Sequence, residues 1–83
     1  MERENVVKRV KNYISFVTTI DAEKLGNDKS LRNDYKLDCF ELYEIFTGLE
    51  DRFDTQIILK CHEEPKTINE IVDIILENNR KVR

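Results

Sequence analysis

The strongest constraint on the fold of this chain is the spacing of its apolar residues, which recur every three or four positions in three separate stretches. Such a period aligns the side chains along one stripe of a helix. The stripes predict helices over residues 3 to 17, from about 38 to 52, and from about 68 to 78. Their apolar positions are Val6, Val7, Val10, Tyr13, Ile14 and Val17; then Leu42, Ile45, Phe46, Leu49 and Phe53; then Ile68, Ile71, Val72, Ile75 and Leu76.

Capping signals mark the ends of these helices. Asp38 is a good N-cap residue, and Glu41 three positions later completes a capping-box pattern. Thr67 and Glu70 repeat that pattern before the last stripe. Asn78 and the asparagine after it are a fair stop signal. The local signals therefore agree with the apolar periods.

Two connections separate the stripes. The segment from about 18 to 37 is long for so small a chain, and we expect Leu31, Tyr35 and Leu37 to anchor it to the core. A short helix near 59 to 64 is predicted in the second connection. Three helices and one short helix predict an all-α fold, a small four-helix bundle.

Composition supports one domain spanning residues 1–83. The chain has 83 residues, enough for one modest core, and it is 37% charged with two glycines and one proline. Its apolar runs are too short to span a bilayer, and no signal segment opens the chain, so a cytoplasmic protein is expected. The thiols of Cys39 and Cys61 are then expected to be free. His62 beside Cys61 is too little for a zinc site.

Charge is distributed unevenly along the chain. The net charge is −3, which gives no basic footprint for nucleic acid. The first helix is basic, but four positive charges are too few to predict a membrane or nucleic-acid binder. The second helix carries Glu41, Glu44 and Asp51. These acids form either a solvated face or a docking face for the basic patch of a partner, and both interpretations stay open.

Four short segments of the chain form a pattern that is more specific than the apolar periods. They are Leu31 with Asp34, then Asp38-Cys39-Phe40, then Phe-Asp-Thr-Gln-Ile at 53–57, and then Thr67-Ile68. This pattern resembles the acyl carrier protein family, which has Phe-x-x-Asp-Leu, Asp-Ser-Leu, Phe-Asp-x-x-Ile and the start of its last helix at the corresponding places. The match runs without a gap from residue 31 to 57. It implies a small acidic four-helix bundle whose modified serine begins the second helix.

The resemblance also implies a function. It implies a module without enzymatic activity that presents a phosphopantetheine-linked acyl group to partner enzymes of fatty acid, polyketide or related synthesis. Cys39, with Asp38 and Phe40 beside it, would then hold 4'-phosphopantetheine, and Glu41, Glu44 and Asp51 would contact the partners. The implied partners are acyl-transferring or synthase enzymes and a phosphopantetheinyl transferase. A monomer is expected.

The departure from the family that bears on the attachment is a single atom. Sulfur replaces the serine oxygen at residue 39, and a thiol is a softer nucleophile toward phosphorus. Besides attachment of the family's phosphopantetheine arm, three other interpretations of Cys39 stay open. The chain is an arm-less interaction module on the carrier fold, or Cys39 was introduced into a serine-containing parent, or the thiol takes an acyl group or a disulfide directly.

Bulky aromatic side chains lead to a further expectation about the core. The residues expected to fill the space between the helices are Phe16, Phe46, Phe53, Tyr13 and Tyr43, although for Tyr43 a place at the rim of the core stays open. A core filled in this way would leave little room for a long acyl chain.

Overall fold

The computed structural model describes residues 2–57 and 67–81, with side chains described as far as Asn78. It contains three α-helices, named here α1 (Arg3–Val17), α2 (Cys39–Phe53) and α3 (Ile68–Lys81), and a single 3₁₀ turn at Ala22–Lys24. The predicted all-α fold is confirmed, whereas the short helix predicted near 59 to 64 lies outside the described residues. Within the described ranges, no helix is long and apolar enough to cross a membrane.

The core lies where α1 packs against both α2 and α3. All five apolar positions of the α2 stripe are buried, as predicted, and α1 and α3 contribute their central stripe residues. Burying one such side chain contributes about 1.5–3 kcal/mol relative to leaving it exposed. The fully buried aliphatic side chains of the helices are Val6, Val10, Ile14, Leu42, Ile45, Leu49, Ile68, Ile71, Val72 and Ile75.

The long connection between α1 and α2 is packed onto this core by the predicted anchors. Leu31 and Leu37 are buried, and Leu25, which the periodicity does not single out, is buried with them. The Tyr35 hydroxyl accepts a hydrogen bond from the Gly26 amide at 2.7 Å and donates one to the Lys24 carbonyl at 3.0 Å. The loop thus has a defined path to the start of α2.

The end of α3 differs from the prediction. Asn78 was expected to stop the helix, but α3 continues to Lys81. The Asn78 side chain is buried, and its Nδ2 donates to the Gln56 carbonyl at 2.8 Å. This side-chain amide thus donates to a backbone carbonyl of the segment that follows α2. Asn78 therefore links two elements in the interior and does not cap α3.

Two of the five aromatic residues expected in the core are not there. Phe46 and Phe53 are buried and Tyr13 is partly buried, but Phe16 is 78% exposed and Tyr43 62% exposed. The helical period explains both corrections. A residue two positions after a buried one, as Phe16 is after Ile14, points roughly 200° around the helix from it. Tyr43 is likewise off the buried stripe of α2.

Gly48 allows the close approach of α1 and α2. A Cβ built on Gly48 would overlap the hydroxyl and ring of Tyr13, which extends from α1 across this point. The Tyr13 ring is in turn covered by the Arg52 guanidinium, whose central carbon lies 4.5 Å from the ring centroid. The glycine therefore creates the space for a side chain of the neighbouring helix.

Both ends of α2 are closed by the residues that flank it. Asp38 Oδ1 accepts a hydrogen bond from the Glu41 amide at 2.8 Å, and the Asp38 amide donates to Glu41 Oε1 at 3.1 Å. This is the predicted capping box. At the other end Asp54 takes a left-handed conformation with φ of 50°, and the Thr55 amide donates to the Glu50 carbonyl.

Replacing Gly48 by alanine should show the Tyr13 overlap directly. Alanine is favoured over glycine by about 1 kcal/mol in a helix interior, but here it displaces Tyr13. We expect Gly48→Ala to lose that gain, or to destabilise the fold, in the natural background. In a Tyr13→Ala background the same change should raise the free energy of unfolding by about 1 kcal/mol. Urea unfolding followed by circular dichroism measures the cycle, and equal gains in both backgrounds would contradict the overlap.

Removing the cap should destabilise α2. We expect Asp38→Ala to lower the free energy of unfolding by about 1 kcal/mol, because the Glu41 amide loses its acceptor. Asp38→Asn is the matched control, since an asparagine side chain can accept the same bond. Thermal and urea unfolding of the two variants measure the difference. An alanine variant as stable as the asparagine variant would show that the cap contributes nothing.

Candidate functional site

Cys39 is the exposed first residue of α2, and the backbone before it explains that exposure. Leu37 is buried, and its amide donates to the Leu31 carbonyl at 3.2 Å. Lys36, the residue before it, has a φ of 59° in the left-handed region, where a non-glycine residue costs of order 1 kcal/mol. The chain therefore turns from the core to solvent within two residues and presents the thiol outward.

Exposed aromatic residues accompany Cys39 on α2. Phe40, the next residue, is 83% exposed, and Tyr43 one turn along the helix is also exposed. Sequence reasoning placed Phe40 at the site but did not place Tyr43 there, and left it open whether Tyr43 lies in the core or at its rim. The signal for Tyr43 was its position outside the Leu42–Ile45–Phe46 stripe. The thiol thus begins a helix whose first turns carry two large apolar groups in solvent.

The predicted acidic residues differ in their surroundings. Glu44 and Asp51 are exposed, and with Phe40 they follow the spacing i, i+4 and i+11, which places them on one outward side of α2. Glu41 is half-buried, and one of its carboxylate oxygens already accepts the Asp38 amide. The structure therefore brings Phe40, Glu44 and Asp51 to a common face and gives Glu41 a part in holding the helix start.

A second surface lies between α1 and the C-terminal part of α2, and sequence reasoning missed it. It is an open groove of about 290 Å³, and we call it the arginine–aromatic groove. The sequence of α1 contains a signal for this groove, because the lining residues Arg9, Asn12 and Phe16 recur at spacings of three and four positions beside the buried stripe. The lining residues are Arg9, Asn12, Tyr13, Phe16, Arg52 and Phe53.

Comparisons with known proteins point in one direction, although no protein-family profile matches the chain. The acyl carrier protein of Buchnera aphidicola (subspecies Schizaphis graminum) is 31% identical over 77 residues, which cover 93% of this chain and 98% of that protein. The acyl carrier protein of Coprothermobacter proteolyticus is 30% identical over 78 residues, or 94% of this chain and 95% of the relative.

A solved structure agrees with these relatives. The acyl carrier protein from Enterococcus faecalis, described for structural components that contribute to its high thermal stability, superposes with a TM-score of 0.75. It is 31% identical, and the match covers 94% of this chain and 99% of that one. Sequence and fold agree over almost the full length on both sides, and so this chain belongs to the acyl carrier protein family.

Proposed function

We propose that this chain presents an acyl group to partner enzymes of fatty acid, polyketide or related synthesis, with Cys39 as the attachment point. Acyl carrier proteins are carriers and not enzymes. The observation that supports the proposal is the position of Cys39, which is exposed as the first residue of α2. The resemblance of Asp38-Cys39-Phe40 to the family's Asp-Ser-Leu suggests that this position corresponds to the modified serine. We further propose that the chain works as one domain over residues 1–83, as a monomer in the cytoplasm.

The surroundings of Cys39 suit the attachment of 4'-phosphopantetheine. When bound, this group supplies a long arm whose terminal thiol holds an acyl group as a thioester. The chain's own contribution is to present residue 39: the capping box of Asp38 and Glu41 holds the helix start, and Phe40 stands exposed beside it. We therefore assign Asp38, Cys39 and Phe40 to the attachment site.

The donor atom sets the rate of attachment. A serine oxygen matches a phosphorus centre better than a sulfur does, and a phosphorus–sulfur link is more labile than a phosphodiester. Transfer to Cys39 forms a sulfur–phosphorus bond while the phosphorus–oxygen bond to the departing nucleotide of coenzyme A breaks. We expect this transfer to be slower than transfer to a serine at the same position.

Partner recognition is proposed for the acidic side of α2. Glu44 and Asp51 are exposed there, and a partner's lysines and arginines can approach both at once. Glu41 is assigned to the same contact through the carboxylate oxygen that is not engaged by the Asp38 amide. The partners proposed are acyl-transferring or synthase enzymes and a phosphopantetheinyl transferase.

Intact mass spectrometry tests the attachment. The protein and its Cys39→Ser variant are incubated with coenzyme A and a broad-specificity phosphopantetheinyl transferase. We expect the serine variant to gain the mass of one phosphopantetheinyl group, and the natural protein to gain it more slowly and at Cys39. Cys39→Ala is the control and should gain nothing.

The other outcomes of that experiment are equally informative. No gain by either the natural protein or the serine variant would overturn the carrier proposal and favour an arm-less interaction module. A parallel incubation with an acyl-coenzyme A and no transferase tests direct acylation. An adduct there that hydroxylamine removes, and that Cys39→Ala does not form, would mean that the Cys39 thiol takes the acyl group itself.

Charge reversal tests the docking face. We expect Glu44→Lys and Asp51→Lys, made in the Cys39→Ser background, each to lower kcat/KM of the transferase roughly two- to fivefold, as loss of about 0.5–1 kcal/mol at an exposed ion pair implies. The effect should shrink at high salt because exposed charges are screened. Glu23→Lys makes the same change in net charge away from α2 and is the matched control. An equal loss in that variant would contradict a localised face.

A further inference from the structure

The arginine–aromatic groove contains none of the residues to which the proposed carrier function assigns a role. It involves Arg52 and Phe53 at the C-terminal end of α2, 13 and 14 positions after Cys39. At 1.5 Å per residue this is about 20 Å along the helix from the thiol. The acidic residue Glu44 lies between the two. The groove is therefore a separate surface, with the opposite charge.

Two guanidinium groups are held in place over aromatic rings in this groove. The central carbon of Arg9 lies 4.3 Å from the centroid of the Phe53 ring, and that of Arg52 lies 4.5 Å from the centroid of the Tyr13 ring. A guanidinium has five N–H donors, and those that do not point at the ring stay available to another group. Among the described residues neither arginine forms an ion pair, whereas Arg3 pairs with Asp73 at 2.6 Å.

An exposed apolar side chain adjoins the two cations. Phe16 is 78% exposed, and its ring centroid lies 6.4 Å from that of Tyr13. When an apolar side chain covers an exposed aromatic ring, apolar surface is removed from water, and this favours binding. Two guanidinium groups beside an exposed apolar ring suit a ligand that carries carboxylates next to an apolar group.

The underlying backbone organises the groove before any ligand arrives. Tyr13 occupies the space that the missing side chain of Gly48 leaves, and Arg52 covers the Tyr13 ring. A surface whose long side chains are already held loses less conformational freedom on binding. Arg9 is held in the same way by the buried ring of Phe53.

We propose that the arginine–aromatic groove docks an acidic amphipathic segment of a partner protein. An apolar side chain of that segment covers Phe16 and Tyr13, while its carboxylates accept paired hydrogen bonds from Arg9 and Arg52. Planar guanidinium groups favour carboxylates for this geometry. The docking does not depend on a group attached to Cys39.

The charges around the groove favour a short acidic segment over an extended polyanion. Glu50 and Asp51 directly precede Arg52 in the chain, and the net charge is −3. A nucleic acid or an anionic membrane extends its negative charge across these carboxylates and is repelled. A peptide segment concentrates its carboxylates opposite the two arginines and avoids that repulsion.

The test is a titration of the ¹⁵N-labelled protein, followed by amide chemical shifts. The probe is a synthetic helical peptide with leucine and phenylalanine at three- and four-residue spacing and glutamate at the other positions. We expect the shift changes to concentrate at Arg9, Tyr13, Phe16 and Arg52. The same peptide with glutamine in place of every glutamate should bind at least tenfold more weakly.

Matched variants separate docking from nonspecific attraction. The double change Arg9→Gln and Arg52→Gln should weaken peptide binding at least tenfold. Changing both arginines to lysine instead should retain only part of the original affinity. Lys8→Gln with Lys11→Gln removes the same two charges elsewhere on α1 and should leave the affinity within twofold. Circular dichroism checks that each variant is folded.

Three results would overturn the proposal. One is a loss of affinity in the variant with Lys8→Gln and Lys11→Gln that equals the loss in the variant with Arg9→Gln and Arg52→Gln. Another is a set of shift changes outside the groove. The third is tighter binding of the groove to an oligothymidylate or to phosphatidylglycerol vesicles than to the peptide, which would assign the surface to a polyanion. Cys39→Ala should bind the peptide unchanged, so a failure here is distinct from a failure of the carrier proposal.

Discussion

Burial of one stripe of α2 against its neighbours determines what this domain offers to other molecules. Leu42, Ile45 and Leu49 are inside, and the helical period then leaves Glu44 and Asp51 outside. Cys39 is outside for a related reason, because burial of Leu37 fixes the point at which the chain leaves the core. The exposure of Cys39 and that of the acidic residues are thus consequences of a single packing arrangement.

The contact between α1 and α2 has a second consequence. Because Gly48 has no side chain, Tyr13 can lie across α2, and the Arg52 guanidinium then covers the Tyr13 ring. A cation in a largely acidic helix is thereby held at the junction of the two helices and not dispersed in solvent. One end of α2 therefore carries an exposed thiol with acidic neighbours, and the other contributes to a groove with two cations.

Much of the fold could be predicted from the sequence, because the relevant forces are local. Helices α1 and α2 begin and end close to their predicted limits, since the apolar period and the Asp38–Glu41 cap act within a few residues. The end of α3 could not be predicted in this way. Asn78 is a stop signal by local preference, but a hydrogen bond to Gln56, 22 residues earlier, makes it an interior residue.

The sequence by itself determined the helices, the place of Cys39 directly after the Asp38 cap, and the side of α2 on which Glu44 and Asp51 lie, because each depends on spacing along one segment. Only the tertiary structure decided which aromatic rings the cations cover and where Tyr13 lies. Arg9 lies over the Phe53 ring, Arg52 lies over the Tyr13 ring, and Tyr13 fits against Gly48. These outcomes depend on how two helices approach each other, which brings together side chains about 35 to 45 positions apart, and no local period encodes that distance.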